Sequence, residues 1–182
     1  MATTRYTLAQ RLLHWLIALI VFGLLAIGLT FMSLGYEGTV NSFGQETTNQ
    51  LYTYHKSFGI LLFMLMILRL ALRRASPPPP YDPPLTRAVR VVSGGTHLLL
   101  YLLLLAMPIG GALATATGGF PVQFFNFELP ALLPKNEALS AQLFQLHGIG
   151  GLIVLALLVL HIGAAIRHWK HRDGITRRIS LP

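Results

Sequence analysis

Apolar positions gather into four long runs separated by short polar segments. The runs cover about residues 12–34, 51–72, 96–117 and 141–166. Each run is long enough to cross about 30 Å of hydrocarbon at about 1.5 Å per residue. Because lipid offers no water to backbone amides, each run must be a helix. The pattern predicts an all-α membrane protein: a four-transmembrane-helix bundle forming one membrane domain over residues 1–182.

The composition excludes several other classes. Apolar residues make up 53% of the chain and charged residues only 11%, whereas a soluble domain carries about a quarter charged residues. The chain has no cysteine, which excludes thiolate-held zinc, iron–sulfur clusters, c-type haem attachment and disulfides. The net charge is +8. Because the composition does not predict a soluble fold with a basic face, no nucleic-acid partner is predicted. The first run is too long for the apolar region of a signal peptide and is predicted to be retained.

Positive charge is biased toward one side of the predicted membrane. Twelve of the 14 Lys and Arg residues precede the first helix, lie at the end of the second helix and in the loop to the third, or follow the fourth. The other two connections hold only Lys56 and Lys135, against four glutamates. The positive-inside rule therefore predicts that both termini and the middle loop are cytoplasmic.

Two connections have unusual compositions. Residues 77–80, with Pro83 and Pro84, are prolines and predict a stiff, extended cytoplasmic connection. On the outer side, residues 120–127 include four phenylalanines. That stretch is predicted to lie at the membrane surface or to cover a site on that side.

Five of the seven histidines lie within or at the edges of the spans, where ionisable residues are costly and usually functional. They are His14, His55, His97, His147 and His161. The topology places His14 and His97 near the inner face, and His55 and His147 near the outer face. His161 follows His147 by 14 residues, which is about 21 Å along a helix and nearly the same helical face.

The fourth helix therefore offers one imidazole at each depth, opposite His55 at the outer level and opposite His14 or His97 at the inner level. Facing imidazoles in an apolar four-helix core suit a low-spin b-type haem. Zinc would require three or four ligands converging at one depth. A haem-free bundle with structural histidines is the alternative.

Small residues lie one helical turn from two of these histidines: Gly59 follows His55, and Gly150 and Gly151 follow His147. They either leave room for a flat macrocycle or serve close helix packing.

Two basic residues in the second run also have two interpretations. Arg69 follows His55 by 14 residues and either pairs with a haem propionate or extends to the cytoplasmic headgroups. Lys56 is either an interfacial anchor or a local positive charge beside His55.

Several local motifs occur in a fixed order and at matched depths. They are QRLLHW at 10–15, HKSFG at 55–59, RLALR at 69–73, HLLLY at 97–101 followed by Pro108, and His147 and His161 followed by RHW at 167–169. With the proline-rich loop, this set makes the chain resemble the bacterial cytochrome b561 family over essentially its whole length. The resemblance implies a multi-pass protein of the inner membrane that holds two b haems and exchanges electrons with a quinone such as ubiquinone.

The resemblance also implies the ligand pairs. Helix four of the family contributes one ligand to each haem, which pairs His55 with His147 and His14 with His161. His97 is the alternative to His14, since both lie at the inner depth. His168 is left without a ligand role near the inner haem. There an imidazole can donate a hydrogen bond to a quinone and relay protons to it.

Three functions fit these expectations. The first is electron transfer between an outer-face donor or acceptor and the quinone pool. The second is a superoxide:ubiquinone oxidoreductase, and the third is a haem-relay membrane subunit of a larger redox complex. The outer connections hold two Lys against four Glu, a net of −2. That balance is poorly suited to attracting superoxide and predicts a slow reaction with it.

Overall fold

The computed structural model describes residues 5–81, 84–130 and 133–181, so Pro83 of the predicted proline-rich connection lies outside the described residues. The fold is mostly helical. The four long helices are α1 (Leu8–Phe43), α2 (Gln45–Ala75), α3 (Arg87–Thr117) and α4 (Glu137–His171). Before α4 the chain forms an antiparallel hairpin of β1 (Val122–Phe124) and β2 (Phe127–Leu129), and after it a short 3-10 helix, Thr176–Arg178.

Among the residues described, three helices have apolar stretches long enough to cross a membrane: α1, α3 and α4. The helix α2 is long enough but carries basic residues along its length, including Lys56 and Arg69. The chain is therefore a multi-pass membrane protein by length and composition.

Every helix extends beyond the span predicted for it, except that α3 ends at Thr117 as predicted. The apolar runs mark only the residues that need lipid, whereas a helix continues into polar flanks where water and side chains satisfy its ends. The start of α1 is an example, because Thr7 and Gln10 form a reciprocal capping box. Inside α1, Gly35 adopts a left-handed φ of 64°, and this break coincides with the predicted end of the first span.

The helices pack as two hairpins. The helix α1 packs mainly against α2, α3 packs mainly against α4, and α2 also contacts α3. The buried core lies between them and includes Leu13, Ile17, Leu62, Met66 and Val154. Large apolar side chains also cover the outward faces of the helices, as lipid contact requires.

The phenylalanine-rich segment forms the hairpin, which lies on the N-terminal half of α2. The Phe125 backbone N–H donates to Ser57 Oγ at 2.6 Å, and Lys56 Nζ donates to the Pro121 carbonyl at 3.1 Å. The Phe58 and Phe125 rings are 5.5 Å apart. The segment thus covers the part of α2 next to His55.

The opposite end of the bundle is held together by Arg178. This buried side chain donates to the carbonyls of Pro79 and Pro80, and its guanidinium lies 3.8 Å from the Tyr81 ring centroid. The C-terminal segment is therefore fastened to the proline-rich connection.

Candidate functional site

Two histidines from helices α2 and α4 face each other near the hairpin. The ring centroids of His55 and His147 are 6.1 Å apart. In the part of the chain that is described, the Nδ1 atom of each ring is buried without a hydrogen-bond partner, which is costly unless another group satisfies it. A metal ion about 2 Å from each of two facing imidazole nitrogens places the ring centroids about 6 Å apart. The separation of the His55 and His147 rings therefore suits a metal that both would bind.

Glycines on the neighbouring helices make room for both rings. A Cβ atom on Gly28 of α1 would lie 3.3 Å from His55 Cε1, and one on Gly111 of α3 would lie 3.0 Å from His147 Cε1. Sequence reasoning missed both glycines. No spacing along the chain signals them, because each lies on a different helix from the histidine that it contacts.

The glycines singled out from the sequence behave differently from one another. A Cβ on Gly59 or on Gly151 would meet nothing within 4 Å among the described residues, so both border open space. A Cβ on Gly150 would collide with Met107 Sδ. This contact favours the second interpretation for Gly150, which is close packing of α4 on α3.

At the other end of the bundle, His161 of α4 faces two histidines. Its ring centroid lies 6.2 Å from that of His14 on α1 and 5.3 Å from that of His97 on α3. His14 is half-buried, whereas His97 is exposed. No group of three or more His, Cys, Asp or Glu side chains with metal-binding geometry occurs in residues 5–81, 84–130 and 133–181. A metal held by two imidazoles would need only one facing pair at each end of the bundle.

Arg69 points toward the histidines at this end of the bundle. Its Nη2 lies 3.1 Å from His14 Nδ1, and its Nε donates to the Tyr101 hydroxyl at 3.0 Å. The guanidinium thus links helices α1, α2 and α3 at the level of His14. Sequence reasoning missed Tyr101, although it follows His97 by four residues and so shares its helical face.

His168 follows His161 by seven residues along α4 and lies at the border of a cavity of about 680 Å³. The cavity lies between the C-terminal segment, the start of α3 and the proline-rich connection. The His168 Nδ1 atom is 2.5 Å from Asp173 Oδ2. Burial by itself raises the pKa of Asp173, but its hydrogen bonds with His168 and the Ile175 N–H and the nearby histidine charges lower it overall.

The family model for prokaryotic cytochrome b561 matches residues 5–180. The chain is 35% identical over 177 residues to cytochrome b561 homolog 2 of Escherichia coli K12, covering 96% of this chain and 90% of that protein. It is 26% identical to cytochrome b561 homolog 1 of the same organism, covering 96% of each chain. It is 25% identical to the probable superoxide oxidase CybB of Yersinia pestis, covering 96% and 95%. The chain belongs to the prokaryotic cytochrome b561 family of membrane electron-transfer proteins, which bind b-type haem.

Proposed function

We propose that the chain holds two b-type haems, one between His55 and His147 and one between His14 and His161, and carries electrons between its outer face and ubiquinone. One observation carries this proposal. The two histidine pairs come from different helix combinations, yet their ring centroids have nearly equal separations of 6.1 and 6.2 Å. Both separations fit a metal that binds two imidazole nitrogens at about 2 Å each.

The proposal requires four spans in a single membrane domain, with both termini and the middle loop in the cytoplasm and the protein in the bacterial inner membrane. The charges of α2 are compatible with a span. Arg69 is directed toward His14 and Tyr101, and Lys56 donates to the Pro121 carbonyl at the outer end. Paired in this way, both charges have polar partners, as charges inside membranes usually do.

When bound, each haem supplies an iron that gains or loses one electron. His55, His147, His14 and His161 hold the two irons. Arg69 would supply a cation to a propionate of the inner haem, and Tyr101, which accepts a hydrogen bond from Arg69 Nε, would orient that guanidinium.

At the inner face, His168 and Asp173 form a hydrogen-bonded pair beside the cavity. In this proposal His168 donates a hydrogen bond and protons to the quinone. An imidazole suits this role because it can both donate a hydrogen bond and relay a proton.

Haem counting of single variants tests the ligand assignment. A pyridine haemochrome assay should give two haems per chain. His147→Ala should remove the outer haem preferentially and His161→Ala the inner one. His97→Leu should keep both haems, whereas His14→Leu should lose the inner one. One haem per chain, or retention of the inner haem in His14→Leu, would contradict the pairing.

Superoxide:ubiquinone oxidoreductase activity is the second candidate, because the Yersinia pestis relative is named a probable superoxide oxidase. Against it, the outer connections carry a net charge of −2, which repels an anion. We therefore expect slow reduction of the haems by superoxide, at a rate that stays flat or rises with salt. A fast reaction that salt slows would favour this second candidate, and Lys56→Gln would then be the next variant to measure.

A further inference from the structure

A column of aromatic rings runs from the outer surface to the outer histidine pair. The His55 ring lies 6.1 Å from the Phe31 ring, and Phe31 stacks on Tyr52 at 4.0 Å with an angle of 8° between the planes. The Tyr52 ring lies 6.1 Å from that of Tyr36, which is 51% exposed. The column thus connects an exposed tyrosine to a proposed haem ligand through successive ring contacts.

The surface at the outer end of this column is polar and acidic. Gln45 Nε2 donates to the Tyr36 hydroxyl at 2.7 Å. Glu37 and Glu46 are the chain neighbours of Tyr36 and Gln45, and both are exposed. We refer to Tyr36, Glu37, Gln45 and Glu46 as the Tyr36 surface. Its polar side chains indicate that it faces water and not lipid.

The lysines predicted for the outer side do not neutralise this surface. Lys135 forms an ion pair with Glu137 at 2.7 Å, and the charge on Lys56 interacts with the Glu128 carboxylate. Glu37 and Glu46 therefore give the Tyr36 surface a local negative field. Such a field attracts cations and repels anions.

We propose that the Tyr36 surface is the docking site for a water-soluble, one-electron carrier protein with a basic face, and that the aromatic column is the contact route to the outer haem. The proposal rests on the proposed haem between His55 and His147. One electron passes between the two proteins: the reduced partner loses it, the oxidised partner gains it, and no bond or proton changes. Complementary charge would bring the carrier to this end of the bundle and orient it there.

A binding experiment tests the docking site. The probe is lysine-rich mitochondrial cytochrome c, compared with the same protein after succinylation of its lysines, at low salt with the detergent-solubilised full chain. The native probe should bind at least about tenfold more tightly than the succinylated one, and the double variant Glu37→Gln/Glu46→Gln should weaken its binding by about tenfold.

The matched control is Glu128→Gln/Glu137→Gln. This double variant also removes two negative charges from the outer side, but at positions outside the Tyr36 surface. It should change the Kd by less than about twofold. Equal weakening by both double variants, or equal binding of native and succinylated probe, would overturn the docking site.

A kinetic experiment tests the column. The chain is reduced with dithionite, freed of excess reductant, and mixed with saturating ferric cytochrome c, and the b-haem absorbance is followed. Tyr52→Leu should slow haem oxidation severalfold while the Kd stays unchanged. Tyr54→Leu, which alters an exposed tyrosine outside the column, should leave the rate unchanged. Equal rates in both variants would overturn the route.

The two proposals fail in different ways. If haem counting finds no outer haem, the proposed function is wrong, and the binding comparison still decides whether the Tyr36 surface docks a basic protein. If both haems are present and the variants bind and react as the wild type does, only this inference is wrong.

Discussion

Replacement of Gly111 by Ala is expected to expel the outer haem while leaving the bundle folded. The new Cβ would lie 3.0 Å from His147 Cε1. Nonbonded carbon atoms prefer about 3.5–4.0 Å, so the imidazole must move by a few tenths of an ångström. Metal–ligand distances in proteins usually stay within about 0.2 Å of their ideal values. The displacement therefore exceeds what the coordination of a metal by His147 tolerates.

The effect on folding should be smaller than the effect on haem binding. Overpacking of a core costs about 1–3 kcal/mol, but alanine is a better helix former than glycine by up to about 1 kcal/mol. These two contributions partly cancel within α3. We therefore expect a variant with wild-type helical content that loses one of two haems.

Haem counting by pyridine haemochrome, with a redox titration of the optical spectrum, measures the outcome. The neighbouring variant Gly110→Ala is the matched control, because a Cβ there would meet nothing within 4 Å of the described atoms. Gly28→Ala should have an intermediate effect, since its Cβ would lie 3.3 Å from His55 Cε1. If Gly111→Ala and Gly110→Ala both keep two haems at wild-type potentials, the steric argument for the outer site is wrong.

The other predictions concern the inner end of the bundle. Arg69→Leu should lower the midpoint potential of the inner haem, because a nearby cation favours the reduced iron. Tyr101→Phe should give a smaller shift in the same direction, because Arg69 loses the hydroxyl that accepts its hydrogen bond. Unchanged inner potentials in a redox titration of both variants would contradict this role. Asp173→Asn should lower Tm, and the difference from wild type should close in acid. Because the pKa of the Asp173 carboxyl is lowered in the folded protein, its stabilisation is present above the ordinary pKa and disappears as the pH falls through the lowered value. A difference in Tm that persists at low pH would refute the linkage.

Some features of this protein follow from the sequence alone. The apolar runs predicted where the long helices lie, because lipid imposes both a minimum length and a helical backbone on any span. The 14-residue spacing of His147 and His161 fixed their relative depth and shared face, since the geometry of a single helix depends only on residue count. The family membership could likewise be predicted from the order of the local motifs, and the match over residues 5–180 confirms it.

Other features were decided by the packing of one helix on another. The helical period predicts which face of its helix a residue occupies. It does not predict which residues of the other helices contact that face. Thus Gly111 contacts His147, and Tyr101 receives a hydrogen bond from Arg69, although neither contact has a sequence spacing that signals it. Likewise, Gly150 packs against Met107 because α4 approaches α3 closely at that point. The sequence therefore determined the spacing of the candidate ligands along each helix, and only the tertiary structure determined which side chains surround them, because those neighbours come from separate helices.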